Sequence, residues 1–431
     1  MVCLKIQRIR FLYCKNVNQI FSKTNFFQVD ISNMKKYDVL LTYAWVRSSY
    51  AALRSLNRLG LKVAVADTSR IGMGQWSRLS HFAGRYSHPM TQPELFTKDI
   101  GRLLSETGAN FLLPGHDETE VLATHRELLP KNIVIPIASA DKIAKANDKA
   151  IMAAHADRLG IPVPKVIVWN KLEDLKEISD LGIAPFVVKL RRGNGAKGVF
   201  YPETNDDVAL LCAKLCKDYS LKIDRQPVVQ EKVVGDGWGV SCLYWHGERI
   251  DSFTHQRLRE KTVTGGTSTL RVSRRNPMLE EYAHQLLSDM KWHGLAMVEF
   301  KYNSATNQGW FIEVNPRLWG SLHLAIESGV DFPALLYTAA ICGPEAARKM
   351  IREQREGIIA RWYLGDVIVA ATELAHLRPA NAFKLLMPGG ADTFDDWFWD
   401  DPSAFLGELA SYLKTFSKHR NTNPAQDGML G

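Results

Sequence analysis

Met297-Val-Glu-Phe-Lys301 and Trp310-Phe-Ile-Glu-Val-Asn-Pro-Arg317 decide the fold. Both runs are short, β-branched and aromatic, and turn residues bound them, which predicts two strands. The segment Asn303-Ser-Ala-Thr-Asn-Gln-Gly309 between them is rich in turn formers, so an antiparallel hairpin is the simplest connection. A hairpin symmetric about Thr306 sets Val298 opposite Val314 and Phe300 opposite Ile312, one apolar face of a half-buried sheet. The same register sets Glu299 opposite Glu313, with Asn315 on their face. Like charges facing each other destabilise a sheet, so a cation is expected between them. Two carboxylates and an amide oxygen suit Mg²⁺ (or Mn²⁺), a hard ion that completes its shell from water and phosphate. On this register, removing either carboxylate relieves repulsion and costs the fold nothing. The plain alternative is two surface glutamates on an ordinary hairpin. Arg317 weighs against it, because it follows a strand-stiffening proline and puts a fixed positive charge beside the ligands.

Glu299 together with Phe311-Ile-Glu313-Val-Asn315-Pro-Arg317 resembles the metal-binding end of the ATP-grasp superfamily. Biotin carboxylase and the large subunit of carbamoyl phosphate synthetase belong to that superfamily. The resemblance covers roughly residues 37–335 and implies a doubly wound parallel sheet followed by a two-lobed nucleotide-binding fold. The expected division is a leader at 1–36, a pre-ATP-grasp α/β domain at 37–135, an ATP-grasp domain at 136–335 with its lid at about 150–230, and a helical C-terminal extension at 336–431.

The chain of 431 residues is long enough for two or three domains, and 46% hydrophobic with 23% charged residues is a globular balance. No apolar run approaches the roughly 18 residues of a membrane span. The formal charge is +8, but residues 1–33 hold five Lys/Arg against one Asp, so the remainder is only mildly basic. No basic run interleaved with aromatics argues for nucleic acid. Six cysteines lie scattered without a C-x-x-C pair, which fits a reducing, cytoplasmic setting. Residues 1–33 lack a continuous apolar stretch, and Met34 directly precedes the first strand, so the leader reads as dispensable and poorly ordered.

Tyr37–Thr42 reads as a buried strand, Ser48–Leu59 as a helix closed by Gly60, and Leu61–Ala66 as a second strand. Such a βαβ start predicts a parallel sheet. The first turn, Tyr43-Ala-Trp-Val-Arg-Ser-Ser49, holds no glycine, which excludes a G-x-G-x-x-G dinucleotide site. A third strand, Phe111-Leu-Leu113, delivers His116, Asp117 and Glu118 to the sheet's carboxyl edge, where open α/β sheets bind ligands. These residues read equally well as substrate contacts or as caps of a helix from Thr119.

Asp148 caps a helix running to Leu159, with Lys149 in its first turn, a position that favours an anionic partner. Pro185–Leu190 is a strand ending near Lys189. It leads into Arg191-Arg-Gly-Asn-Gly-Ala-Lys-Gly198, a loop whose glycines can fold over phosphates. The resemblance implies ATP contacts from Lys149, Lys189, Gly193, Asn194, Gly195, Lys197 and Gly198, and adenine contacts from Glu231 and the backbone of Lys232 and Val233. Gly235–Gly239 is expected to turn the chain into a strand at 240–245.

Thr262–Thr269 holds paired glycines among hydroxyls, an anion-binding pattern. It resembles a loop of carbamoyl phosphate synthetase-like enzymes. On that footing Thr264, Gly265, Gly266, Thr267 and Ser268, with Arg257, Arg271 and Asp117, bind the substrate carboxylate. A solvated basic hairpin is the alternative. Residues 276–294 carry the clearest helical stripe, opened by Pro277 and closed by Gly294, packing under the hairpin. The tail beyond 336 carries aromatics expected to pack on the nucleotide domain, with no catalytic signal.

The reaction expected from the resemblance is carboxylate plus ATP giving an acyl phosphate, then attack by an amine. Arg317 and Lys189 are the catalytic candidates, and Glu299, Glu313 and Asn315 the metal ligands. The rivals are a small-molecule kinase and an ATP-binding protein without turnover. Small-molecule substrates are the only partners expected, and self-association is left open.

Overall fold

The computed structural model describes residues 36–175, 185–193, 198–222, 225–261, 267–387 and 389–418. The leader, the lid tip Asn194, Gly195 and Lys197, and the loop residues Thr264, Gly265 and Gly266 therefore lie outside the described residues.

Three sheets organise the chain. The first is parallel, ordered β3-β2-β1-β4, from β1 (Val39–Leu41), β2 (Val63–Asp67), β3 (Ala83–Arg85) and β4 (Phe111–Leu113). Its strands are apolar on both faces, as helix-covered parallel strands must be. The helix Arg47–Arg58 ends at Leu59, and Gly60 adopts the left-handed conformation that terminates it.

The second sheet is small and antiparallel, ordered β5-β8-β6-β7. It comprises β5 (Val166–Ile167), β6 (Phe186–Lys189), β7 (Val199–Phe200) and β8 (Val228–Glu231), and it packs on the helix Asn205–Asp218.

The third sheet has seven strands, ordered β13-β12-β9-β10-β11-β14-β15. They are β9 (Asp236–Trp245), β10 (Glu248–Glu260), β11 (Ser268–Ser273), β12 (Gly294–Asn303), β13 (Gln308–Asn315), β14 (Ile359–Arg361) and β15 (Thr393–Phe394). One face buries Val240, Val298, Phe300 and Val314 against Leu279, Ala283, Leu286 and Leu287 of the helix Pro277–Asp289. The other face buries Leu243, Phe253 and Met297 in a core shared with Val39, Leu41 and Phe111 of the parallel sheet. The two large sheets thus share one hydrophobic core.

Three expectations need correction. Phe300 pairs with Phe311, not Ile312, because a bulge between Glu299 and Phe300 leaves the extra residue on β13. Gly237 and Gly239 are not turn residues but lie inside β9, opposite Lys301 and Glu299. A Cβ on Gly239 would sit 2.4 Å from Cε1 of His255, so glycine is required for a close approach. The helix opened by Pro277 ends at Asp289, and Gly294 instead starts β12 at φ 86°, its Cα against the carbonyl of Pro136. The C-terminal region is mostly helical but also supplies β14 and β15 to the large sheet.

Candidate functional site

The β12–β13 register places Glu299 directly opposite Glu313, and Met297 opposite Asn315. The amide nitrogen of Asn315 donates to Glu299 Oε1 at 3.0 Å and lies 3.4 Å from Glu313 Oε1. Rotating that amide by half a turn would present its oxygen to the same point. Three oxygen donors on one strand pair are a chemically sound set for Mg²⁺, which takes few protein ligands.

Cations from three other segments meet this pair. Arg257 on β10 reaches across β9 to Glu299 Oε2 at 2.6 Å. Gly237 on β9 leaves room for that side chain, since a Cβ there would stand 2.9 Å from Arg257 Cδ. Lys149 lies 3.3 Å from Glu313 Oε2 and donates to Gly193 O at 2.7 Å. Lys189 ends β6 with only 8% of its surface exposed. Burial, with Lys149 and Lys301 assisting against the pull of Glu313 and Glu299, lowers its ammonium to about 8. The acids differ in turn. Burial, reinforced by the Glu313 charge, keeps Glu299 above the usual carboxyl range despite Arg257. Burial acts on Glu313 as well, but Lys149 and Lys189 outweigh it and hold that carboxyl low.

Lys149 is positioned by its helix. Asp148 caps it through Oδ1, accepting from Ala150 and Ile151 at 3.0 and 3.1 Å. Arg191 donates to the same carboxylate at 3.0 Å, and its carbonyl accepts from Lys149 N at 3.0 Å. The entrance of the glycine loop is thereby fastened to the helix carrying Lys149. Gly193 and Gly198 both have positive φ, as a tight loop demands.

Glu231 and Lys232 sit where the small sheet hands over to the large one. Glu231 Oε1 accepts from Lys165 N at 2.9 Å, and Lys232 N donates to Pro185 O at 2.8 Å. The Lys232 N–H is thereby used within the small sheet. Val233 follows immediately, before β9.

The expected substrate arginines do not converge. Arg257 is taken by Glu299. Arg271 is fully buried and paired with Asp395, and it donates to Ser268 O at 2.9 Å. Beyond a bulge after Arg257, Arg259 reaches Asp366 at 2.5 Å. Thr267 accepts from Lys261 N at 2.9 Å. Arg317 and Asp117 meet each other instead, at 2.8 Å. They line an open cleft with Lys149, Glu313 and Asn315. Glu120, Asn147 and Arg192 also line it, and sequence reading missed them. Each lay beside a segment the sequence singled out, Arg192 in the glycine loop, Asn147 before Asp148 and Glu120 after Glu118. Among the described residues, no helix is long and apolar enough to cross a membrane.

Known proteins resemble this chain in sequence or in fold. A family model described as ATP-grasp in the biosynthetic pathway with Ter operon matches residues 224–363. Acetyl-CoA carboxylase 2 of Arabidopsis thaliana is 22% identical over 259 residues, 58% of this chain and 10% of that protein, so the chain spans about a tenth of that relative's length. Among solved structures, the biotin carboxylase–βγ-ATP complex from Campylobacter jejuni superposes with a TM-score of 0.59 at 14% identity, covering 76% of this chain and 75% of the other. The ADP complex of N5-carboxyaminoimidazole ribonucleotide synthetase gives 0.58 at 16%, covering 80% and 86%. The L-amino acid ligase from Bacillus licheniformis gives 0.55 at 16%, covering 71% and 75%. Residues 224–363, which carry the paired glutamates, thus match an ATP-grasp family model, and the fold of the chain resembles those solved structures.

Proposed function

We propose that the protein is an ATP-dependent ligase that activates a carboxylate as an acyl phosphate and passes the acyl group to an amine. The observation that carries this reading is the facing pair Glu299 and Glu313, with Asn315 between them and Lys149, Lys189 and Arg257 around them. A site this rich in both charges has little use except around a polyphosphate and its metal.

Glu299, Glu313 and Asn315 would hold Mg²⁺ (or Mn²⁺), which neutralises phosphate charge as the terminal phosphoryl group leaves. Lys189 and Lys149 bind phosphate oxygens, and Lys149 also holds the entrance of the glycine loop through Gly193 O. The substrate carboxylate oxygen attacks the terminal phosphorus while the bond to ADP breaks. The amine nitrogen then attacks the acyl carbon, phosphate leaves, and the amine gives up a proton. Arg317 offers a planar, permanently charged donor set to the phosphoryl group as the acyl phosphate forms and to the oxyanion that develops in the second step. No side-chain nucleophile takes part.

The deciding experiment is hydroxylamine trapping across a panel of carboxylates with MgATP. The expected product is a hydroxamate, formed with ADP and phosphate in equal amounts. A stable phosphorylated product without free phosphate would instead make the protein a small-molecule kinase. ATP binding without turnover on any acid would make it a nucleotide-binding protein.

A further inference from the structure

Asp117 occupies the N-cap position of the helix Glu118–Thr124, yet its side chain accepts no hydrogen bond from that helix. Aspartate is favoured at an N-cap because its carboxylate satisfies the first N–H groups, typically worth about 1 kcal/mol. Here that contribution is forgone. Oδ1 instead accepts from Arg317 Nε at 2.8 Å, and Oδ2 lies 3.3 Å from His116 Nδ1.

The support beneath Asp117 is unusually fixed. The ring of Tyr43 lies nearly flat on His116, at 4.4 Å and 14°. Tyr43 itself has φ 53°, a conformation uncommon outside glycine, and its N–H donates to the hydroxyl of Tyr86 at 3.0 Å. Buried Glu118 clamps the loop from below, accepting from Thr42 Oγ1 at 2.6 Å and Gly115 N at 2.9 Å. A Cβ on Gly115 would stand 2.3 Å from Ser49 Oγ, so the loop can lie this close only with glycine there. At the other end, Arg317 also donates from Nη1 to Leu318 O at 3.1 Å. Two of the three guanidinium nitrogens are thus held, which fixes the plane of the group. That plane borders the cleft shared with Lys149, Glu313 and Asn315.

We propose that Asp117 is a positioning residue that fixes the plane of Arg317, so that the parallel sheet sets the aim of a charge at the reacting end of the nucleotide site. The proposal rests on the role given to Arg317 above. It assigns Asp117 to the arginine and not to the substrate.

The test uses the full chain and two probes that need no acceptor: MgADP, and MgADP with aluminium fluoride as a mimic of the phosphoryl group in transfer. Binding is measured by calorimetry for Asp117→Ala, Asp117→Asn, Arg317→Ala and the double alanine variant. Asp117→Ala should bind MgADP within about twofold of the parent but the aluminium fluoride complex at least about tenfold more weakly. Asp117→Asn keeps one acceptor oxygen and should recover most of that loss. The double variant should be no weaker than Arg317→Ala alone, the mark of residues acting through one another. Equal losses on both probes, or full additivity, would overturn the positioning role. If Arg317→Ala fails to separate the two probes, the role of Arg317 falls and the proposal with it. If Asp117→Ala does not fold, Asp117→Asn against Asp117→Glu carries the same comparison. Two variants indistinguishable from the parent on both probes would then overturn the proposal.

Discussion

Arg257 lies 2.6 Å from Glu299, so one of the two facing acids has its own counter-ion from a strand two places away. Removing the acid takes a 2.6 Å charge partner from the arginine, which also lies 3.5 Å from Glu260. Glu299→Gln should lower stability in EDTA by about 1–3 kcal/mol, the cost of an under-paired buried donor. This reverses the expectation from repulsion alone. Urea denaturation measures it, and an unchanged or higher midpoint would restore the simpler view.

Lys189 should give nucleotide binding a pH dependence. Its ammonium titrates near 8 in the folded chain against an ordinary 10.5. A lowered lysine works against stability at neutral pH, and that penalty fades as pH climbs from about 8 toward 10.5. Phosphate favours the charged form, so ADP affinity in EDTA should fall as pH rises through 8. Lys189→Met should bind about tenfold more weakly at pH 7 and lose that dependence. Parallel curves for parent and variant would remove Lys189 from the phosphate site.

Arg317→Lys keeps the charge but loses the planar fork and the Nε donor that meets Asp117. Hydroxamate formation should slow by about 100-fold while ATP affinity moves little. A normal rate would show that any cation suffices there.

Gly239→Ala forces a methyl toward the ring of His255, whose Nε2 lies 3.1 Å from Ser321 Oγ. The expected loss is about 1–3 kcal/mol by chemical denaturation, as for other overpacked cores. Adding His255→Ala should recover part of it. No recovery would place the strain elsewhere.

Asp395→Asn should be among the most damaging single changes in the chain. It leaves Arg271, wholly buried, without its charge partner, and Arg47 stands only 3.7 Å from the same carboxylate. Breaking such a pair costs about 3–5 kcal/mol. A shift under about 1 kcal/mol would mean that the two arginines find other acceptors.

The facing glutamates were legible because strand alternation has a period of two, and Val298, Glu299, Glu313 and Val314 obey it. The bulge that displaces Ile312 was not, since it reflects packing of Phe300 and Phe311 in a common core. Gly239 misled for a related reason. A glycine in sequence suggests a turn, and its true cause, the ring of His255, lies on another strand. Arg257 and Arg271 looked like neighbours around one loop, and they do pair in register. Their side chains diverge because each answers to an acid far along the chain, Glu299 for one and Asp395 for the other. Strands β14 and β15, three and two residues long, are too short to leave a pattern.

Those two short strands bear on how the protein is made. Synthesis runs from the amino end, so Arg271 and the central strands exist well before Thr393–Phe394 and Asp395. Until then the large sheet lacks its last strand beside β14, and Arg271, destined for its interior, lacks the Asp395 carboxylate. The nascent chain cannot close its nucleotide domain by folding each part as it appears. It must hold that edge uncommitted until Thr393–Asp395 have been made.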